Sequence, residues 1–152
     1  MFKAPKRWQH GFAKTSTKQL SPTVKFTISI TEVPSEKELQ KLFAQTTWAA
    51  KRKNLEIKRM LEHLTVFVTI RENSELIGFG RAISDGVYRA LIDDIVVDDS
   101  YQKLGLGKVI VENLLKQLAG VEGIFLNTKP DLEGFYKKFG FKKVEGTITM
   151  EK

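Results

Sequence analysis

Leu91-Ile92-Asp93-Asp94-Ile95-Val96-Val97, followed by Tyr101-Gln102-Lys103-Leu104-Gly105-Leu106-Gly107-Lys108, decides how this chain is read. The first half is an apolar, β-branched run with the composition of a buried strand. The second half is a glycine-containing turn. After it, Val109, Ile110, Leu114, Leu115 and Leu118 recur at helical spacing. Strand, glycine turn and helix, in that order, build an anion pocket. Glycines let backbone N–H groups approach a ligand, and the helix start adds partial positive charge. Two familiar phosphate loops do not fit. A P-loop needs glycine where Gln102 stands and Ser or Thr where Val109 stands. A dinucleotide fingerprint needs a further glycine where Ile110 stands. What remains is Q-x-x-G-x-G with lysines at 103 and 108.

Working outward, Val24–Thr31 alternates, with Val24, Phe26, Ile28 and Ile30 on one face of a half-buried strand. Ser35 and Glu38 form a capping box that opens a helix, and Leu39, Leu42 and Phe43 are its apolar stripe. The pattern predicts a second helix over Leu55–His63, with Leu55, Met60, Leu61 and Leu64 inward, and His63 favoured by the helix dipole at its end. Strands follow at Thr65–Ile70, Leu76–Ile83 and Tyr88–Val97, separated by a turn at Asn73 and a hairpin at Asp85-Gly86. A helix over Gly107–Leu118 comes next, then a short buried strand at Ile124–Asn127. Pro130 opens a helix that Gly140 ends, and Phe141–Val144 and Thr147–Met150 close the chain as strands. The order is βααβββαβαββ, an α/β (mixed α+β) domain with a central, mostly antiparallel mixed sheet and helices on both faces.

The chain has 152 residues, enough for one domain with a real core. It contains no cysteine, which excludes disulfides, thiolate metal sites and a thiol nucleophile. Its two histidines, His10 and His63, are too far apart in sequence for a metal motif. No metal is expected. The net charge of +7 is uneven. Lys3, Lys6, Arg7, Lys14, Lys18 and Lys25 precede the first acid, Glu32, and the rest of the chain is almost neutral. Residues 1–22 therefore read as a basic leader, and residues 23–152 as the domain. A mobile arm, a targeting peptide or a polyanion contact each explain the leader. Nucleic acid is not an expected partner: Trp8 and Phe12 stand in the leader without an aromatic–basic face around them. No apolar run is long enough to span a membrane, and no signal peptide is evident, so cytoplasmic placement is the expectation.

Two motifs carry a resemblance. The first is the Q-x-x-G-x-G turn between its strand and helix. The second is Phe135-Tyr136-Lys137-Lys138-Phe139-Gly140-Phe141, similar to an F/L-Y-x-x-x-G-F block. Together with the element order they resemble the GNAT N-acetyltransferase superfamily over residues 24–150. Gly78-Phe79-Gly80-Arg81-Ala82, Ser84-Asp85, Arg89-Ala90 and Asp94 resemble a bacterial and plastid subset that includes serotonin (arylalkylamine) N-acetyltransferases. Asp93-Asp94-Ile95-x-Val97 with Tyr101-Gln102 is also similar to glucosamine-6-phosphate N-acetyltransferases.

The resemblance implies an acetyl-coenzyme A-dependent N-acetyltransferase of the GNAT fold that acts on a primary amine of a small molecule. By it, the backbone of Gln102, Lys103, Leu104, Gly105, Leu106, Gly107 and Lys108 holds the diphosphate, and Ile95, Val96 and Val97 hydrogen-bond the pantetheine arm. Leu104 and Leu106 are read as packing residues. Tyr136 points at the thioester sulfur and protonates the leaving thiolate. Asp93 or Asp94 takes the amine proton, or the two form a strand-end charge pair. Adjacent strand residues face opposite ways, so one at most meets the amine. Trp48 is read as an acceptor contact or as a core or lid residue. Arg81 and Arg89 bind an anionic group or pair along the strands, and Lys51-Arg52-Lys53 is a solvated helix start. The alternatives are a protein or peptide N-acetyltransferase and a non-catalytic acyl-coenzyme A module. A homodimer is expected by resemblance.

Overall fold

The computed structural model describes residues 25–152. The basic leader 1–22 and Val24 lie outside the described residues. Strands β1 (Phe26–Ser29), β2 (Val66–Glu72), β3 (Glu75–Ser84), β4 (Arg89–Val97) and β5 (Gly123–Leu126) form one sheet in sequence order. The first three pairings are antiparallel, and β4–β5 is parallel. Helices α1 (Glu36–Phe43) and α2 (Asn54–Glu62) cover one face. Helix α3 (Leu106–Gln117) covers the other, and α4 (Glu133–Lys137) follows β5.

Each turn has a chemical cause. The Ser35 hydroxyl and the Glu38 carboxylate complete the expected capping box of α1. Asn73 and Ser74 both take positive φ between β2 and β3. The Asp85 carboxylate accepts from the backbone N–H groups of Val87, Tyr88 and Arg89, which closes the β3–β4 turn.

The core has two halves, one on each side of the sheet. On the α3 side, Val68, Ile70, Ile77, Ala82, Ala90 and Ile92 meet Leu106, Ile110, Leu114 and Leu118. On the other, Phe67, Phe79 and Val96 meet Leu39, Leu42, Phe43, Ala49 and Ile57. Helix α3 approaches β3 so closely that a Cβ on Gly80 would lie 2.3 Å from Ile110 Cγ2. The glycines at 78 and 80 therefore mark where a helix lies against the strand.

Several expectations are corrected. In α2, Leu55 is 70% exposed, and Ile57 fills the inward position. Leu55 stands two positions before Ile57, on the opposite side of the helix from the stripe of Ile57, Met60, Leu61 and Leu64. Ile28 of β1 and Ile30 just past its end are nearly half exposed, because an edge strand has little on its outer face. The helix after Pro130 begins as a short 3₁₀ turn, Pro130–Leu132, before α4. The two closing strands do not form: residues 138–152 hold no regular element, and Ile148 and Met150 are 83% and 84% exposed. Alternation gives a segment two faces, but only a paired neighbour makes it a strand.

Glu38 also receives the Arg71 guanidinium from β2, which ties α1 to the sheet. That bond, followed by bonds from Ser35, pulls the Glu38 carboxyl down to about 2. A depressed carboxyl stabilises the fold fully above its ordinary value of 4.5, and the contribution is lost as pH falls through about 2. Arg71→Gln should lower the urea midpoint at neutral pH and converge on the parent near the acid end of that window. Gly80→Ala should cost about 1–3 kcal/mol through overpacking against Ile110. Gly134→Ala, where a Cβ meets nothing, should cost none, and urea unfolding of both variants checks the pair.

Candidate active site

Strand β4 carries one more residue than its partner. Phe79 pairs with Val96 and Arg81 with Asp93, so Gly80 faces both Asp94 and Ile95. Asp94 takes φ of 52°, a left-handed conformation that costs a non-glycine residue about 1 kcal/mol or more. This is a β-bulge. It reverses the strand's facing: Ala90 and Ile92 point to α3 before it, whereas Val96 points to α1 and α2 after it. Pairing with β5 stops at Ile92–Leu126. From Asp93 onward the outer edge of β4 has no strand beside it among the described residues.

A buried ion cluster holds the bulge. The Asp94 side chain has no exposed surface. Arg52 Nη1 donates to both its oxygens at 2.9 Å, and Arg81 Nε donates to Oδ2 at 2.7 Å. Arg81 Nη2 also reaches Asp93 Oδ2 at 3.3 Å, and the Asp93 side chain stays 43% exposed. The structure thus separates the two candidate bases. Asp94 is enclosed by guanidinium groups and reaches no solvent, so its position does not suit direct contact with an amine. Of the two readings of Arg81, the structure places it in the pairing one: Nε and Nη2 are engaged by Asp94 and Asp93. Arg52 is corrected from a solvated helix start to a buried-carboxylate partner. Arg89 pairs with exposed Glu122 and lies over the Phe125 ring.

A cleft of about 210 Å³ opens beside the bulge, lined by Gln45, Thr46, Trp48, Ile95, Val96, Val97, Asp99 and Gln102. It unites three sequence-predicted groups: the β4 segment, the start of the glycine turn and Trp48. Trp48 lies in the α1–α2 connection, half exposed, with its ring 5.9 Å from that of Phe43. Gln45 was missed in the sequence. Its amide donates to Asp98 Oδ2 and accepts from the Asp99 backbone N–H, both at 2.8 Å. That bond is the main reason the Asp98 carboxyl titrates below its ordinary value. No local signal marks Gln45, since its partners are more than fifty residues away.

The glycine turn passes from Gln102, which donates to Asp99 Oδ1 at 2.9 Å, through Lys103 at φ of 64° to Gly105 at 83°. Gly105 is the N-cap of α3, and no side chain caps that end. The first intrahelical bond there runs from the Val109 N–H to the Gly105 carbonyl. The N–H groups of Leu106, Gly107 and Lys108 are thus left as donors at the positive end of the helix. Leu106 is buried packing, as expected, but Leu104 is exposed. Lys108 is exposed and reaches Glu112 at 3.7 Å. Among the described residues no His, Asp and Glu cluster could hold a metal ion.

Tyr136 stands in α4, outside the cleft lining. Its ring packs edge-on against Phe135 at 5.0 Å and Phe141 at 6.1 Å. Phe135 in turn lies against Gly107 at the start of α3, where a Cβ would sit 3.6 Å from its Cζ. Burial raises the Tyr136 pKa, which keeps the hydroxyl protonated.

The family model for the GNAT acetyltransferase domain matches residues 30–152. This chain belongs to the GNAT acetyltransferase family. An uncharacterized N-acetyltransferase, ycf52, of Pyropia yezoensis is 38% identical over 112 residues, which cover 70% of this chain and 64% of that protein. Serotonin N-acetyltransferase 2, chloroplastic, of rice (Oryza sativa subsp. japonica) is 36% identical over 110 residues, 68% of this chain and 54% of that one. The matches therefore span little more than half to two thirds of these relatives. Among solved structures, glucosamine-6-phosphate N-acetyltransferase from Arabidopsis thaliana superposes with a TM-score of 0.69 at 23% identity. That overlay covers 84% of this chain and 97% of the other, a likeness of fold.

Gly105→Asp tests the anion site. The new side chain would meet no neighbour, and Asp is a good N-cap, so the fold should survive despite the positive φ. Its charge and its cap would compete for the same N–H groups. Calorimetric titration should show coenzyme A affinity reduced about tenfold or more, in line with one lost charge-assisted contact.

Proposed function

We propose that this protein transfers an acetyl group from acetyl-coenzyme A directly to a primary amine of a small molecule. The cleft carries the reading: the edge of β4 that lies past its pairing with β5 and Gln102, the first residue of the glycine turn, line it together with Trp48, and that turn leads on to the uncapped start of α3. The diphosphate fits the N–H groups of Leu106, Gly107 and Lys108. The pantetheine arm fits along Ile95–Val97 as an added strand would. Gly105 leaves the approach open, since a Cβ there would touch nothing.

Two features favour an arylalkylamine over an amino sugar phosphate. The guanidinium of Arg81, the group a sugar phosphate would need, is engaged by Asp93 and Asp94. The half-exposed ring of Trp48 offers a flat surface that suits an aromatic or cationic amine. The name of the rice relative agrees with this choice.

The amine must be neutral to attack, and the departing sulfur needs a proton. Asp93, half exposed on β4, takes the amine proton directly or through water. Tyr136, kept protonated by burial, donates to the thiolate. An N–H of the bulged strand is the donor for the developing oxyanion.

Thiol release measured with serotonin, tryptamine, polyamines and glucosamine 6-phosphate tests the assignment. Turnover with the first two, and little with the sugar phosphate, is the expected pattern. No turnover with any amine would sink it. Tyr136→Phe should lower kcat about a hundredfold, the usual weight of a general acid, with coenzyme A affinity unchanged.

A further inference from the structure

Arg52 makes contacts on two sides that no local sequence signal marks. On one side its Nη1 holds both oxygens of Asp94 at 2.9 Å. On the other its guanidinium lies over the rings of Phe43 and Trp48, with Cζ 4.9 Å and 5.4 Å from their centroids. Its backbone carbonyl accepts from Gln40 Nε2 of α1 at 3.3 Å. Phe43 is fully buried and packs edge-on against Phe79 of β3 at 6.2 Å, so this side of the contact has a fixed base. Trp48 touches that base only along one side, with its ring 5.9 Å from that of Phe43, and is otherwise half exposed and lines the cleft.

The cleft has two walls. Trp48 belongs to one, the connection between α1 and α2. Ile95, Val96 and Val97 belong to the other, β4 just past the bulge. Arg52 is bonded to both: to the Trp48 ring directly, and to Ile95 through its neighbour Asp94.

We propose that Arg52 is a positioning residue that sets the distance between the acceptor wall at Trp48 and the acetyl wall at Ile95. This rests on the acetyl-transfer reading given above. Asp94, already clasped by Arg81, is the fixed end of the link, and Arg52 is the arm that reaches across. A planar guanidinium suits this task. It donates to a carboxylate in its plane while its faces stack on aromatic rings. A lysine would keep the charge beside Asp94 and lose the stacking. The structure therefore separates the two parts of the job by chemistry. Neutralising Asp94 is served by any cation, whereas covering the Trp48 ring, beside its contact with Phe43, calls for the flat guanidinium.

The experiment compares Arg52→Lys and Arg52→Met with the parent in a Trp8→Phe background, where Trp48 is the single tryptophan. Three quantities are read: acrylamide quenching of Trp48, calorimetric affinity for coenzyme A, and the KM and kcat for the best amine of the panel. Arg52→Lys should fold, raise Trp48 quenching about twofold and raise the amine KM about tenfold, as expected for a displaced binding wall. Its coenzyme A affinity should stay within about twofold, because the α3 site is untouched. Arg52→Met should show the same changes and a lower urea midpoint, since it leaves Asp94 with one partner fewer. Unchanged quenching and KM in Arg52→Lys would overturn the proposal. A loss of coenzyme A affinity with KM preserved would overturn it as well. If the parent acetylates no amine, the acetyl-transfer reading falls, and the quenching of Trp48 alone still decides whether Arg52 holds that ring.

Discussion

One extra residue in β4 organises this protein. Asp94 takes a backbone conformation that L-residues avoid, and it survives because its side chain has nowhere else to go. Two guanidinium groups from different parts of the chain converge on it, Arg81 from the neighbouring strand β3 and Arg52 from the connection just before α2. A buried carboxylate without such partners would be expelled or protonated. The cluster therefore works in both directions. It makes the bulge tolerable, and the bulge brings the carboxylate to where the arginines meet. Gly80 completes the arrangement from the opposite side, since only a residue without Cβ leaves room for Ile110 across from the bulge.

The bulge has two consequences for the site. It reverses the facing of β4, so that Val96 joins the α1–α2 core while Ile95 packs toward α3. It also marks the point where β4 and β5 part company. The strand edge that results shares a cleft with Trp48 and with Gln102 at the start of the glycine turn. In the proposed reading, polar groups of the backbone supply both binding features, the strand edge for an amide-bearing arm and the helix start for a diphosphate. On that reading Leu104, Leu106, Val96 and Val97 serve through their backbone groups rather than their side chains.

Much of this was legible in the sequence because its causes are local. Ser35 and Glu38 announced α1, Asp85-Gly86 the hairpin, and the glycines at 105 and 107 the opening of α3. Other readings failed where the cause is not local. Leu55 was grouped with Met60 and Leu61, but the face of α2 that meets the core is the one centred on Ile57, and Leu55 lies opposite it. Thr147–Met150 alternated like a strand, but alternation names no partner. Arg52 sat in a run of three basic residues and read as solvated. Its partner stands 42 positions away, and nothing in the run distinguishes it from Lys51 or Lys53.

The sequence by itself determined the family and the order of the elements through α4, because capping, turn chemistry and glycine spacing act over a few residues. Only the tertiary structure decided which aspartate is enclosed and which stays exposed, which arginines are already engaged, and that Trp48 faces Ile95 across a cleft. Those outcomes depend on where separate segments meet, and burial and charge pairing are properties of that meeting rather than of any one stretch of chain.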